Sequence, residues 1–592
     1  MLQKQIMVEI VLTGHKLLMP LEEKDALFLG IWCLSDDYDY SNIVTNSNEL
    51  NILPPIWDNL KEISLTHNYL NALFLRLINV LTDCFNVYYG IQFSERFWAI
   101  ASYGVLFNWL ETLYDRYSHL MKVQEFSKSE DKLTVKIPSQ LPAFRLIDRH
   151  HWGRLIGTHD YNLYLFTQIL RCGNFKNFDI KECNVSLNFD YIRIKNYSMK
   201  YKIKHKFFRL MTIALSFYDF HYGFSNTYEN ILSTFLVYLN NYSVLNHFQL
   251  PQPDKQWRAI SPQMFVHDFE NMKFNFHACN DFEKIVAKLI LKSIPLYLLD
   301  GIPSSEYCKR VKYWIGNDVY NGAEAFKIAR VVENGGLWIS VQHGGGYGTQ
   351  PVLSEDGEFY LSKNFISWGW KHNYHNGCRI YDLPFSKPMK KNNLRLKKNI
   401  LFLTTGILPY YHKIHSNLMI RGRKKYLQME IEFIKNLRSE ISDVLIWKPY
   451  PVTQLVHIKS KIQEFISADN IITDDIPLIN LLFSCKLVVI DHFSTAILES
   501  LAFNVPTVAF WHKDDFPVVD EVLPDIIRLQ EAKIYHSDAE QAAKYVCEIY
   551  DNVDNWWQSY KVQQIRQEFC HKYARVSDDM TTEWRLFLKN LY

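Results

Sequence analysis

Residues 487–511 read LVVIDHFSTAILESLAFNVPTVAFW. Aliphatic residues run into Asp491, a short polar turn follows, a helical stretch opens near Thr495, and Asn504-Val505-Pro506 breaks it before a second apolar run over 506–511. Strand, helix and strand in so short a span form one βαβ unit, which pairs its strands in parallel and covers the sheet with the crossover. The same grammar extends outward. NILFLTT (399–405) and DVLIWK (443–448) read as strands, with a charged helix at about 423–440 between them and another near 453–466. Upstream, LWISVQ (337–342) reads as a buried strand ending in a glycine loop. The alternation begins near Pro295 and predicts an α/β fold with parallel sheets.

The N-terminal part has a different texture. The first 125 residues read as helical and aromatic, with apolar positions at helical spacing over 56–81 and a second helix over 94–121. FWAIASYGVLFNWL (97–110) is uncharged, but its fourteen residues fall short of the roughly 20 that a membrane span needs, so it reads as a buried helix. Polar residues with Pro138 and Pro142 mark 127–150 as a linker or excursion. KPMKKNNLRLKK (387–398) reads either as an interdomain linker or as a solvated loop.

Composition narrows the function. Hydrophobic residues make up 48% of the 592, which supports a large core and excludes a disordered chain. Lys plus Arg is 65 against 63 for Asp plus Glu, a net +2, which argues against a dedicated nucleic-acid binder. Ten cysteines without any CxxC pair give no support to zinc or dithiol chemistry and fit reduced thiols. The N-terminal stretch lacks the apolar block of a signal peptide, so a cytoplasmic location is expected.

Three loops could carry chemistry. Gln342-His343-Gly344-Gly345-Gly346-Tyr347-Gly348 follows a strand. Open parallel sheets bind ligands beyond the carboxyl ends of their strands. A histidine there can take a proton from a hydroxyl, and consecutive glycines let a ligand or another backbone approach closely. A tight turn with a structurally bonded histidine would read the same way. The spacing is not the dinucleotide fingerprint. In the second loop, Ser494 and Thr495 open a helix, where free N–H groups and the helix dipole suit an anion. Ordinary N-capping uses the same geometry. Glu499, one turn along, could hold a ribose hydroxyl or be a plain first-turn carboxylate. The third is Trp447-Lys448-Pro449-Tyr450-Pro451, where Lys448 either reaches a phosphate or is a surface lysine at a strand exit. Asp37-Tyr38-Asp39 matches a metal-binding DxD pattern but reads better as a turn, and His412, His415, Arg421 and Arg423 read as a solvated loop.

Together, the QHGGGYG loop, the K-P-Y-P turn and the strand–DHFST–helix segment resemble CDP-glycerol glycerophosphotransferases. Bacterial sialyltransferases and capsule Kdo transferases use comparable motifs for CMP-sugars. A resemblance spanning nearly the whole chain is to a transferase family of bacterial O-antigen and surface-carbohydrate clusters. It rests on LGIWC (29–33), ERFWAIASYGVLFNWLETLYDRY (95–117), QHGGGYG (342–348), FISWGW (365–370) and STAILESLAFNVPTVAFW (494–511).

The resemblance implies a GT-B-like architecture: two Rossmann-like domains facing a cleft, with an N-terminal helical extension. The expected divisions are a helical region over 1–125, an acceptor-side domain with insertions over 126–390, a nucleotide-donor domain over 391–560 and a C-terminal helix over 561–592. His343 matches the catalytic histidine of the family's WHG-type loop. Lys448, Ser494 and Thr495 match its phosphate- and nucleotide-binding turns, whereas Tyr450 stands where the family has a histidine, and His492 and Phe493 carry over no role. The implied reaction is glycosyl transfer from a nucleotide-activated sugar, favoured as a CMP-linked acidic sugar, to a hydroxyl of a surface polysaccharide such as O-antigen. No cofactor or metal is implied. The partners are that donor and a lipid-linked oligosaccharide acceptor, with peripheral association at the inner face of the inner membrane. A CDP-glycerol-type glycerophosphotransferase and a non-catalytic glycan- or nucleotide-binding assembly protein are the alternatives.

Overall fold

The computed structural model describes residues 7–20, 26–33, 51–126, 132–189, 222–225, 244–246, 268–300, 311–320, 322–372, 377–386, 388, 398–406, 410, 413–414, 423–450, 462–472 and 476–591. Asp37-Tyr38-Asp39, His412, His415, Arg421, Pro451 and nearly all of 387–397 lie outside these, as does most of the helix expected near 453–466.

Among the described residues, three parallel sheets organise the chain. The third in chain order, which decides the fold, is built from β12 (Ile400–Leu403), β13 (Leu445–Lys448), β14 (Leu487–Ile490), β15 (Thr507–Phe510) and β16 (Tyr535–His536), in the order β13-β12-β14-β15-β16. Every residue of β12, β14 and β15 is buried. Helices cover both faces, so the strands are apolar throughout rather than alternating. Leu403 pairs with Lys448 on one side and with Ile490 on the other, so three strands end level and their exit loops share one edge.

The second sheet contains β6 (Tyr222–Ser225), β7 (Val244–Asn246), β8 (Tyr313–Gly316), β9 (Leu337–Val341), β10 (Asn364–Ser367) and β11 (Arg379–Asp382), in the order β11-β10-β9-β8-β6-β7. The C-terminal helix Met580–Asn590 packs on it, burying Met580, Trp584 and Leu588 against Ile315, Ile339 and Ile366. A separate helix, Tyr560–Tyr573, precedes it. The second and third sheets bring their carboxyl-end loops together, as a GT-B-like cleft requires.

The N-terminal region departs from the sequence expectation. Its two long helices are present, Leu60–Tyr89 and Glu95–Phe126. Asn59 caps the first, accepting from the amides of Lys61 and Glu62, and Gly90 at φ 64° ends it. These helices do not form a helical extension alone. The first parallel sheet in chain order stands with them, ordered β3-β2-β1-β4-β5, from β1 (Met7–Val11), β2 (Ala26–Phe28), β3 (Asn51–Ile52), β4 (Lys132–Pro138) and β5 (Phe178–Cys183). The stretch 127–150, expected to be a linker or excursion, thus contains β4, which sits between β1 and β5. Leu133, Val135 and Ile137 point into the core while Lys136 pairs with Glu9, a charged alternation that hides a strand in a polar stretch. The helix Glu95–Phe126 packs against both Leu60–Tyr89 and Gly322–Glu333, joining the first sheet's layer to the second's.

Candidate functional site

Gln342, the residue after β9, is buried, and its amide fastens the glycine loop in place. Its Oε1 accepts from the Trp368 amide and from Trp370 Nε1, each at 2.9 Å, while its Nε2 donates to the Gly344 carbonyl at 2.9 Å. The loop then turns at Gly348, whose φ of +69° and contact with the Trp370 ring leave no room for a side chain.

At Gly345 the loop reaches the third sheet. The Gly345 N–H donates to Thr495 Oγ1 at 2.9 Å. A Cβ on Gly345 would stand 2.6 Å from the Ser494 carbonyl carbon and the Thr495 nitrogen. The glycine is therefore required by backbone approach. The neighbour approached is the start of the helix Thr495–Ala502, with Ser494 as N-cap accepting from the Ala496 amide at 3.3 Å. The histidine loop and the helix start form one site.

The other expected residues lie on the same edge. Lys448 ends β13 with only 8% of its surface exposed, so it is not a surface lysine at a strand exit. Tyr450, two residues on, is 53% exposed and lies against Gly406. Glu499 is half-buried one turn into the helix. Gly344 faces Thr495 across ordinary contact distance, and Gly346 packs on Gln350.

His343 keeps 31% of its side chain exposed. The Tyr347 hydroxyl lies 3.1 Å from its Nδ1 and 3.3 Å from its Nε2. Behind them, buried Glu358 accepts from Tyr347 at 3.1 Å and from Ser340 Oγ at 2.7 Å. Burial pushes the imidazole down to about 4, with Glu355 opposing and Lys413 and Arg149 assisting. Burial likewise lifts the Glu358 carboxyl to about 8, reinforced by the charge of Glu355 and opposed by the Ser340 and Tyr347 hydrogen bonds. At neutral pH the imidazole is uncharged and able to accept a proton.

Sequence reasoning gave no role to several residues that the structure places here. Asp491, fully buried, holds His492 Nδ1 at 2.7 Å and accepts from the Tyr426 hydroxyl. Glu430 is buried beside it, its carboxyl raised well above the usual range by burial and by the charge of Asp491. Glu358 and Tyr347 were likewise unassigned. Among the described residues, no group of three or more His, Cys, Asp or Glu side chains is placed to hold a metal ion. The helix Leu60–Tyr89 is long and apolar enough to cross a membrane by length and composition, and half of its most apolar window is buried.

Comparison with known proteins gives one family and a set of distant folds. The model of the LIC12162 family transferases matches residues 8–588. Solved structures include the wall teichoic acid polymerase TagF with CDPG, at 10% identity and a TM-score of 0.33, covering 67% of this chain and 98% of that one. They also include a co-structure of S. aureus MnaA with UDP, at 10% identity and a TM-score of 0.30, covering 47% of this chain and 76% of that one. No curated protein matches.

Proposed function

The chain belongs to the LIC12162 family of transferases, and on that premise we propose that it is a glycosyltransferase of surface-polysaccharide assembly. It moves a sugar from a nucleotide-activated donor to a glycan hydroxyl. The observation that carries this reading is the 2.9 Å hydrogen bond from Gly345 to Thr495, which sets the imidazole loop of one sheet beside the helix start of another. In this reading His343 takes the proton of the acceptor hydroxyl. The first-turn amides after Ser494, together with Lys448, hold the departing phosphate, stabilising its charge as the bond breaks. Glu499 lies where a ribose hydroxyl would be held, and Gln342 with Gly344, Gly345 and Gly346 shapes the cleft.

By resemblance, the favoured donor is a CMP-linked acidic sugar and the acceptor a lipid-linked oligosaccharide at the inner face of the membrane. Thermal-shift measurements with CMP, CDP, UDP and GDP test the donor side. A nucleotide at a hundred times its Kd stabilises the folded chain by about 2.7 kcal/mol. CMP is expected to give the largest shift, and none from any of the four would overturn the reading. Product analysis then separates sugar transfer from a CMP-sugar from glycerophosphate transfer from CDP-glycerol.

A further inference from the structure

Glu358 has no part in the mechanism just described, yet it is 0% exposed and lies 3.8 Å from His343 Nδ1. A carboxyl so placed is costly to bury unless it is bonded or neutral. Its two oxygens are taken up separately: Oε2 by Ser340, and Oε1 by Tyr347, whose hydroxyl touches His343 in turn. Tyr347 is 2% exposed and stacks on Phe365, which closes this path to solvent everywhere except at the imidazole. The charged and titratable groups facing the path are Glu355 and Lys413, which pair with each other, Arg149, whose guanidinium lies over the Tyr320 ring, and Tyr320 itself.

We propose that Glu358 stores the proton that His343 removes, and that Tyr347 passes it between them. The inference rests on His343 being the base. As the acceptor oxygen bonds to the donor carbon, its proton goes to His343 Nε2. The Nδ1 proton moves to the Tyr347 oxygen, and the Tyr347 proton moves to Glu358 Oε1. The bond from the donor carbon to the nucleotide phosphate oxygen breaks, and its electron pair leaves with the phosphate. The imidazole ends neutral, with its hydrogen on the other nitrogen. After product release the proton returns along the same chain, and Nε2 gives its hydrogen to water. An imidazole lowered to about 4 is a weak base by itself; Glu358 can take the proton only when ionised, so the relay contributes as pH rises through about 8. Glu358 acts through His343 and is a positioning and proton-storing residue.

The test uses the full chain and needs no substrate. Diethylpyrocarbonate modifies unprotonated imidazole, and peptide mass spectrometry reads His343 separately from exposed His150. The rise in His343 reactivity should follow ionisation of Glu358, amounting to roughly tenfold between pH 7 and pH 9. Glu358→Gln and Tyr347→Phe should both lose that rise, while His150 stays unchanged. Tyr347→Phe, which removes one oxygen, serves as the second variant should Glu358→Gln unfold. An undiminished rise in the folded variants overturns the relay. If the rise is lost but no donor is turned over, the relay stands and the glycosyltransferase reading fails. If transfer requires His343 while Glu358→Gln keeps the wild-type kcat and pH profile, the relay fails and the reading stands.

Discussion

The Gly345 amide and the Thr495 hydroxyl meet at 2.9 Å although 150 residues separate them in the chain. This contact fixes the spacing between the loop that carries His343 and the helix that opens at Thr495. It also makes the spacing sensitive to a single methyl group.

Gly345→Ala should therefore be damaging and Gly344→Ala mild. The added carbon at 345 would lie 2.6 Å from two backbone atoms, whereas at 344 its nearest neighbour is 3.9 Å away. Overpacking of this kind costs about 1–3 kcal/mol. Urea unfolding of both variants measures the difference, and equal midpoints would show that the loop yields without cost.

His343→Gln keeps the ring's hydrogen-bonding capacity in part but cannot take the acceptor proton. Transfer should fall by about 10²-fold or more while nucleotide affinity is retained. Steady-state kinetics beside calorimetric titration separates the two effects, and unaltered turnover would remove His343 from the mechanism.

Ser494→Ala and Thr495→Val act on different bonds. The first loses the helix cap, worth about 0.5–2 kcal/mol of stability. The second loses the acceptor for Gly345. Combined, they should weaken nucleotide binding at least tenfold, about 1.4 kcal/mol. Calorimetry showing wild-type affinity in the double variant would place the phosphate elsewhere.

The pH dependence of stability has a defined sign at Glu111. This carboxyl is fully buried, accepts from Ser354 at 2.8 Å, and is lifted to about 7, chiefly by burial and against the pull of His67. The unfolded chain releases that proton near 4.5, so the folded state holds one more proton between pH 4.5 and 7. Stability falls as pH rises through that window, by up to about 1.4 kcal/mol per unit. His67, whose burial is outweighed by the hydrogen bond and charge of Asp356, is raised as well and adds loss in the same direction as pH rises past its ordinary range. Glu111→Gln should flatten the wild-type decline between pH 5 and pH 7 in chemical denaturation, and an identical slope would sink the assignment.

Much of the third sheet could be read from the sequence because β12, β14 and β15 are uninterrupted apolar runs separated by helix-length gaps, whereas the two-residue β16 was not visible. Ile400–Leu403 and Leu487–Ile490 are buried at every position, so no polar residue breaks the signal. The first sheet could not be read this way. Ala26–Phe28 and Asn51–Ile52 are too short to show a period, and in Lys132–Pro138 the charged Lys136 interrupts the apolar positions. The two site loops were visible as strand-to-turn junctions with His343, Ser494 and Thr495 in them. Tyr347 and Glu358 were not, because their roles come from contacts across the fold. The available clue was a carboxylate lying among apolar and aromatic neighbours in GEFYLSKNFISWGW (357–370).

Tyr410, which follows β12, is 1% exposed and sits outside its own sheet. Its hydroxyl lies 2.7 Å from His159 Nδ1 and close to Thr13 and Gly14, which follow β1, while its ring lies near Trp32 and Arg116. An open parallel sheet ordinarily receives its ligand in that space. The first sheet's mouth is thus stoppered by a side chain on loan from the third. Any swing of the third sheet that opens or shuts the cleft must either carry the N-terminal lobe along with it or pull the cork.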